Sequence, residues 1–210
     1  MSIIDGDRVR RFGQEKELGD NYINAFLAGS GGVFWIATPG GVSRYENRTL
    51  TPFETSDPPI RQTFALLEDG VGYLWIAAYG HGLHRCPVRG GIEGSCQNFT
   101  RRDELVSDAV VSLALDRKGY LWAGTEGGIS RFDIHRFEST GEVVFKNYGP
   151  DDGFIALQCI QNAIVVDEKG DVWFGTTAGA YRYPARESSN PSIAPLTRVT
   201  DLRISYENIN

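Results

Sequence analysis

Four tryptophan-centred segments recur along this chain, and their spacing restricts the fold more than any other feature. They read FWIATPGGVSRY from Phe34, LWIAAYGHGLHRC from Leu74, LWAGTEGGISRF from Leu121 and VWFGTTAGAYRY from Val172. Each runs from an apolar residue through Trp to small or apolar residues. A Gly-containing turn follows, then an apolar residue and Arg. The tryptophans are Trp35, Trp75, Trp122 and Trp173; the arginines are Arg44, Arg85, Arg131 and Arg182. The Trp-to-Arg spacing is 9, 10, 9 and 9, with the extra residue in the turn AYGHG.

The repeat extends upstream. The stretches INAFLAGSGG, TFALLEDGVGY, VVSLALDRKGY and AIVVDEKGD each place a strand pattern before a polar turn. Three of them carry an aspartate at the turn, Asp69, Asp116 and Asp167, a residue type that bonds its own backbone there. Trp-to-Trp distances are 40, 47 and 51 residues (35 to 75, 75 to 122, 122 to 173). Units of that length, built from short strands, have the period of propeller blades. Glycine, 25 of 210 residues, favours tight turns, and no helical periodicity of useful length competes. A single blade cannot bury both faces, so it packs between neighbours, and the repeated Trp supplies that contact.

The expected fold is therefore all-β: a β-propeller of four blades, each with four antiparallel strands A to D from the axis outwards. The ring is closed by this chain alone, part of a larger ring, or completed by a second copy. Residues 1–190 hold the repeats, with blades near 21–56, 61–100, 107–148 and 159–190. Strands are expected at 23–27, 33–38, 42–45 and 50–54 in blade one, and at 63–68, 73–77, 82–86 and 97–100 in blade two. Blade three takes 110–116, 120–124, 129–132 and 143–148; blade four takes 163–167, 171–175 and 180–183, with no clear D strand. Residues 7–13 read as an extra outer strand that completes blade four or belongs to another blade. Residues 191–210 read as a linker.

The charge sum, 21 basic minus 27 acidic residues, is −6. That balance, without a basic run, argues against nucleic acid as a partner. No apolar stretch has the length of a membrane span, and the first residues lack a signal-peptide core. Cys86 and Cys96 flank the loop PVRGGIEG. Two free thiols beside a hairpin is the simpler reading; a bridge is the alternative in an oxidising compartment. Cys159 reads as a small buried hydrophobe.

Candidate ligand residues follow from topology. D-to-A loops and B-to-C turns share one face of a propeller, and sites gather on loops held by a rigid scaffold. The D-to-A loops offer Asn21, Arg61, Gln62, Asp108, Gln158, Gln161 and Asn162; the B-to-C turns add Tyr79, His81 and Glu126. Polar groups beside aromatics suit a carbohydrate or another small polar ligand. The bland alternative is a set of ordinary solvated turns. The four tryptophans and four arginines are assigned to the blade framework. No cofactor is implied. The pair His81 and His84 lacks an acidic or Cys partner at metal-binding spacing, so no metal site is expected. No catalytic residue is assigned, since neither a nucleophile elbow nor a phosphate loop occurs.

The pattern of D-x-x-G turn, LW-[IA]-[GA]-T, Gly-Gly turn and [ILV]-x-R-[YF] resembles the two-component regulator propeller repeat. DAVVSLALDRKGYLWAGTEGGISRFD, from 108 to 133, is the best match. The resemblance implies the extracellular or periplasmic input region of a bacterial hybrid histidine kinase, without catalysis in this chain. It also implies that PSIAPLTRVTDLRISYENIN begins an Ig-like domain. Two other readings stand beside it. One is a scaffold or oligomerising propeller without a small ligand, including a homodimer through open blade edges. The other is a streptogramin-lyase-like enzyme, which DEKGDVWFGT also resembles. That chemistry needs a His general base near the axis, and only His81, His84 and His135 are present.

Overall fold

A computed structural model describes residues 2–5, 8–12, 18–53, 59–88, 95–154 and 158–185. Blade one comprises β3 (Ala25–Ala28), β4 (Phe34–Thr38), β5 (Gly41–Glu46) and β6 (Thr49–Pro52). Blade two has β7 (Thr63–Glu68), β8 (Tyr73–Ala78), β9 (Gly82–Pro87) and β10 (Gln97–Phe99). Blade three has β11 (Val110–Leu115), β12 (Tyr120–Thr125), β13 (Gly128–Asp133) and β14 (Phe145–Tyr148). Blade four has β15 (Cys159–Val166), β16 (Val172–Thr176) and β17 (Gly179–Tyr183). Each blade is an antiparallel meander in chain order. The four blades of the sequence reading are thus present, the last with three strands among the described residues. The proposed Ig-like start at 191–210 lies outside the described residues.

Interfaces between blades explain why the motif repeats. Trp35 of blade one packs with Leu74, Ile76 and Cys86 of blade two. Trp75 meets Leu121 and Phe132 of blade three; Trp122 meets Val172 and Phe174 of blade four. An aromatic in or just after the D strand backs three of the indoles: Phe53 at 4.8 Å from Trp35, Phe99 at 5.8 Å from Trp75 and Tyr148 at 5.6 Å from Trp122 between ring centroids. Burying one indole removes on the order of 200 Å² from water, or about 5 kcal/mol as an upper figure. The arginines sit directly opposite in the ladders, Trp35 facing Arg44, Trp75 facing Arg85, Trp122 facing Arg131 and Trp173 facing Arg182. Each guanidinium lies 5.5 to 5.9 Å from its indole. Such contacts contribute about 1 kcal/mol, so apolar burial dominates and the arginines secure it.

The turn aspartates do more than shape their turns. Asp69 Oδ1 accepts from the backbone N–H groups of Val71, Gly72 and Tyr73, while Oδ2 accepts from Trp75 Nε1 at 2.9 Å. Asp116 and Asp167 hold Trp122 and Trp173 the same way, at 2.8 and 3.0 Å. One carboxylate thus ties the A–B turn to the core indole. Blade one has Gly29 at the corresponding place, and Trp35 Nε1 is buried without a partner. Glu68 of blade two reaches over instead. Its carboxylate accepts from the Ser30 N–H at 2.8 Å and from the Ser30 hydroxyl. A Cβ on Gly29 would stand 2.6 Å from Glu68 Oε2 and from Trp35 Nε1, so glycine is what lets this carboxylate in.

Two features differ from the sequence reading, and a third bears on an alternative it left open. Cys86 and Cys96 are bridged rather than free. The register of β10 on β9 pairs Gln97 with Arg85, which puts Cys96 opposite Cys86. Blades one and three fill the matching cross-strand place with Tyr45–Leu50 and Phe132–Phe145. The disulfide therefore replaces an apolar pair at the interface with blade one. Secondly, Ile134–Thr140 forms a helix, α1, within the C–D connection of blade three. Asp133 caps it through Arg136 N, Gly141 ends it in the left-handed region, and Ile134 and Phe137 are buried. Thirdly, within 7–13 the strand β2 (Arg8–Arg11) pairs with β1 (Ser2–Asp5). No ladder joins it to blade four among the described residues. The Asp5–Arg8 closure matches the Glu46–Thr49 closure of blade one. Phe12 then packs against Leu18, Ile36, Leu50 and Tyr45.

Candidate functional site

Loops at the start of the A strands interlock with the B–C turns of the blade before. Gln62 N donates to Pro39 O at 2.8 Å, and Gly82 N donates to Asp108 O at 2.9 Å. The B–C turns are made by a threonine that closes on the glycine carbonyl: Thr38 on Gly41 at 3.1 Å, Thr125 on Gly128 at 2.9 Å and Thr176 on Gly179 at 2.7 Å. Blade two has Ala78 instead, and its ladder closes Ala78 on Gly82 with three residues between. That longer turn carries Tyr79 out to bridge Ala109 of blade three.

A cluster forms there. The Tyr79 ring lies 5.5 Å from that of Phe64. The nearby Glu126 carboxylate holds the Tyr79 phenol pKa above its ordinary value. Glu126 N donates to Ala109 O, and Tyr79 N to Gln62 O at 2.9 Å. Phe64 is in position because β7 slips register between Thr63 and Ala65. β11 repeats the slip between Val110 and Ser112.

Blade four exaggerates the device. The β15 ladder slips between Cys159 and Ile164, so Ile160–Ala163 stand where blades two and three have a one-residue bulge. Gln161 Nε2 donates to Asn24 O and Oδ1, both at 3.4 Å. Asn162 Nδ2 donates to Asn24 O at 3.0 Å and to Phe64 O at 3.2 Å. Asn24 Nδ2 in turn donates to Thr63 O at 2.7 Å. Blades one, two and four are thereby tied across the mouth of the axis. Gln62 and Asn162 both adopt positive φ, 52° and 53°, a conformation that costs a non-glycine residue about 1–2 kcal/mol.

Seven candidates sit in this arrangement or its hydrogen bonds: Gln62, Tyr79, Asp108, Glu126, Gln158, Gln161 and Asn162. Asp108 also accepts from Arg101 N at 2.8 Å, and the Gln158 carbonyl accepts from Thr177 N at 3.1 Å. Asn21, Arg61 and His81 are exposed. His84 instead lies buried in β9, where burial and the nearby His81 lower its pKa to about 4. His135 is exposed on α1, far from the A-strand starts in the chain. Among the described residues no group of three or more metal-binding side chains occurs. Asn24 and Phe64 belong to the cluster but were not foreseen. The register slips that place them depend on strand pairing, which leaves no local mark. Cys159 is buried, and that burial raises its pKa to about 11. Two clefts lie away from these loops, one beside Tyr73, Arg85 and Glu138 and one between Asp116, Arg131, Lys169 and Tyr183.

The family model for the two component regulator propeller matches residues 104–127. That stretch holds β11 and β12, the segment singled out from the repeats. No curated protein matches. The extracellular domain of a hybrid two component system, BT3049 of B. thetaiotaomicron, superposes with TM-score 0.66 and 22% identity over 81% of this chain and 22% of that one. A second, BT4673 of the same organism, gives TM-score 0.70 and 19% identity over 88% and 26%. A catalytically inactive virginiamycin B lyase from Staphylococcus aureus gives 0.58 and 13% over 92% and 60%. This chain spans about a quarter of the length of the two signalling proteins' domains. At these identities the superpositions establish the propeller fold. The family model matches one of the four repeats, residues 104–127.

Proposed function

We propose that this chain belongs to the input propeller of a two-component signalling protein and that the axial mouth receives a small polar ligand, a carbohydrate in the first instance. One observation carries this reading. Gln62 and Asn162 are both held in the left-handed region at the same mouth, beside the Phe64–Tyr79 aromatic pair and the Glu126 carboxylate. Strain of that kind persists where the surrounding structure enforces it, and binding sites are where it gathers. Aromatic faces with amide and carboxylate groups beside them match the apolar faces and hydroxyl edges of sugars. The Cys86–Cys96 bridge supports an oxidising compartment, periplasmic or extracellular.

A scaffold role is favoured by a different fact. The Asn162 amide is engaged in joining three blades, so the mouth also works as a lock. Lyase chemistry finds less support, because His84 is buried and the other two histidines stand outside the mouth cluster.

Calorimetric titration with neutral and acidic oligosaccharides tests the sensor reading. One class of sugar is expected to bind and raise Tm. Glu126→Gln and Tyr79→Phe are expected to weaken that binding at least tenfold, each loss being about 1.4 kcal/mol or more. Absence of any binding sugar, or binding unaffected by both changes, would leave the scaffold role.

A further inference from the structure

The four framework arginines are alike in sequence and unlike in their partners. Arg44 pairs with Glu46, Arg85 with Glu138 and Arg182 with Asp171. Arg131 meets no carboxylate among the described residues. Its guanidinium donates to the Tyr183 hydroxyl at 3.2 Å and lies 4.4 Å from the Tyr120 ring. Arg131 stands over Trp122, which is 1% exposed, whereas Arg182 stands over Trp173, which is 37% exposed. An unpaired charge costs more as water is withdrawn from it. Arg131 therefore needs a counterion more than Arg182 does, and lacks one.

Blade three lacks the counterion for local reasons. Glu46 and Asp133 each stand two residues past their arginine, but Asp133 is turned to α1, where its Oδ1 accepts from Arg136 N at 2.9 Å. Asp171 stands two residues before Trp173, and Tyr120 holds that place before Trp122. Across the ladder Arg131 faces Lys146, where Arg44 faces Thr51 and Arg85 faces Gln97. Like charges directly opposite each other destabilise a sheet. Arg131 also lines a cleft of about 100 Å³ between blades three and four, beside the A–B turns. Those turns lie at the other end of the blades from the mouth. Arg117 and Lys118 enter the lining from blade three and Lys169 from blade four. Asp116 is the one carboxylate in that lining, and both its oxygens are committed: Oδ1 to Lys118 N and Tyr120 N, Oδ2 to Trp122 Nε1. Four cations thus converge on one cleft in a chain whose charge sum is −6.

We propose that this cleft binds a tetrahedral oxyanion, phosphate or sulfate, free or as the charged group of a larger ligand. Arg131 is its anchor. A guanidinium offers a planar fork of donors matched to such oxygens, and the lysine ammonium groups add point charges around it. The anion supplies to Arg131 what Glu46, Glu138 and Asp171 supply to the other three arginines. It also screens Arg131 from Lys146 across the ladder. The site is separate from the axial mouth, and neither depends on the other.

Calorimetric titration of the full chain with sodium phosphate and with sodium sulfate, against sodium chloride at matched ionic strength, tests this. One of the two oxyanions is expected to bind at a single site where chloride does not. Arg131→Gln is expected to weaken that binding roughly tenfold or more. Arg117→Gln with Lys169→Gln changes two exposed side chains and is expected to weaken it as much, with circular dichroism checking that the fold is kept. Arg182→Gln, the sister arginine outside the cleft, is expected to leave it unchanged. Glycerol 3-phosphate binding as well as phosphate identifies the charged group of a larger ligand; its exclusion identifies the free ion. A wild type indifferent to both oxyanions, the result if acidic residues of the chain itself serve Arg131, overturns the proposal. So does binding unchanged in both cleft variants, or an equal loss in Arg182→Gln.

Discussion

At the scale of single residues, one position in the repeat governs how the core indole is held. Asp69, Asp116 and Asp167 were legible as turn formers because short polar side chains bond the backbone two to four residues on. Their second oxygen on the indole was not legible, since nothing in the spacing says which way a strand twists the carboxylate. Asp167 shows the effect in its electrostatics: the Trp173 indole N–H, more than its backbone partners, lowers its pKa. His84 is the residue whose chemistry is most exposed to pH. Its neutral form is the one that fits, because burial lowers its pKa from 6.5 to about 4 while the unfolded chain titrates near 6.5. Between those values the unfolded chain binds the extra proton, so stability falls as pH falls. The full loss approaches about 3 kcal/mol. Urea unfolding at pH 7 and pH 5 is expected to show the decline, and His84→Leu is expected to flatten it.

At the scale of elements, the strands were the most readable part. β7 was placed at its observed bounds, 63–68, and most others within two residues. Alternation and turn residues specify strands locally, and a blade adds little that could shift them. α1 was missed although its signals are present: Asp133 as cap, Ile134 and Phe137 three apart, Gly141 as stop. The repeat itself hid it, because the C–D connections of blades one and two read as hairpin loops. The helix has a task. Phe137 lies 5.3 Å from the Arg85 guanidinium and Glu138 pairs with it, so a charge buried to 3% exposure has its counterion. The sequence left the cysteine pair to turn on the redox compartment. Strand register, which puts the two Cα atoms 4.3 Å apart, decides it. Breaking this bridge by Cys86→Ser with Cys96→Ser is expected to cost about 2–3 kcal/mol, read as a lower Tm under oxidising conditions. Wild type in reductant is expected to match the double variant.

For the molecule as a whole, stability follows from a line of blades rather than from one central core. Blades two and three each have a neighbour on both sides, and their junctions hold the largest aromatic cluster. Blade four has one. Stability in such stacks is close to a sum of nearest-neighbour terms. Amide hydrogen exchange is therefore expected to be slowest in β8, β12 and β13 and faster in β16 and β17; equal protection throughout would contradict this. The candidate mouth was partly legible at this scale. Topology told which loops share a face, but the bridge from Asn162 to blades one and two required strand registers that only the assembled stack supplies. The uneven burial of the tryptophans has an optical consequence. Three indoles sit in rigid, dry surroundings and one faces solvent. The red edge of the emission, and its susceptibility to acrylamide quenching, should belong chiefly to Trp173. The chain thus contains its own fluorophore on the blade-four face, and a blue shift of that component would report the moment something settles there.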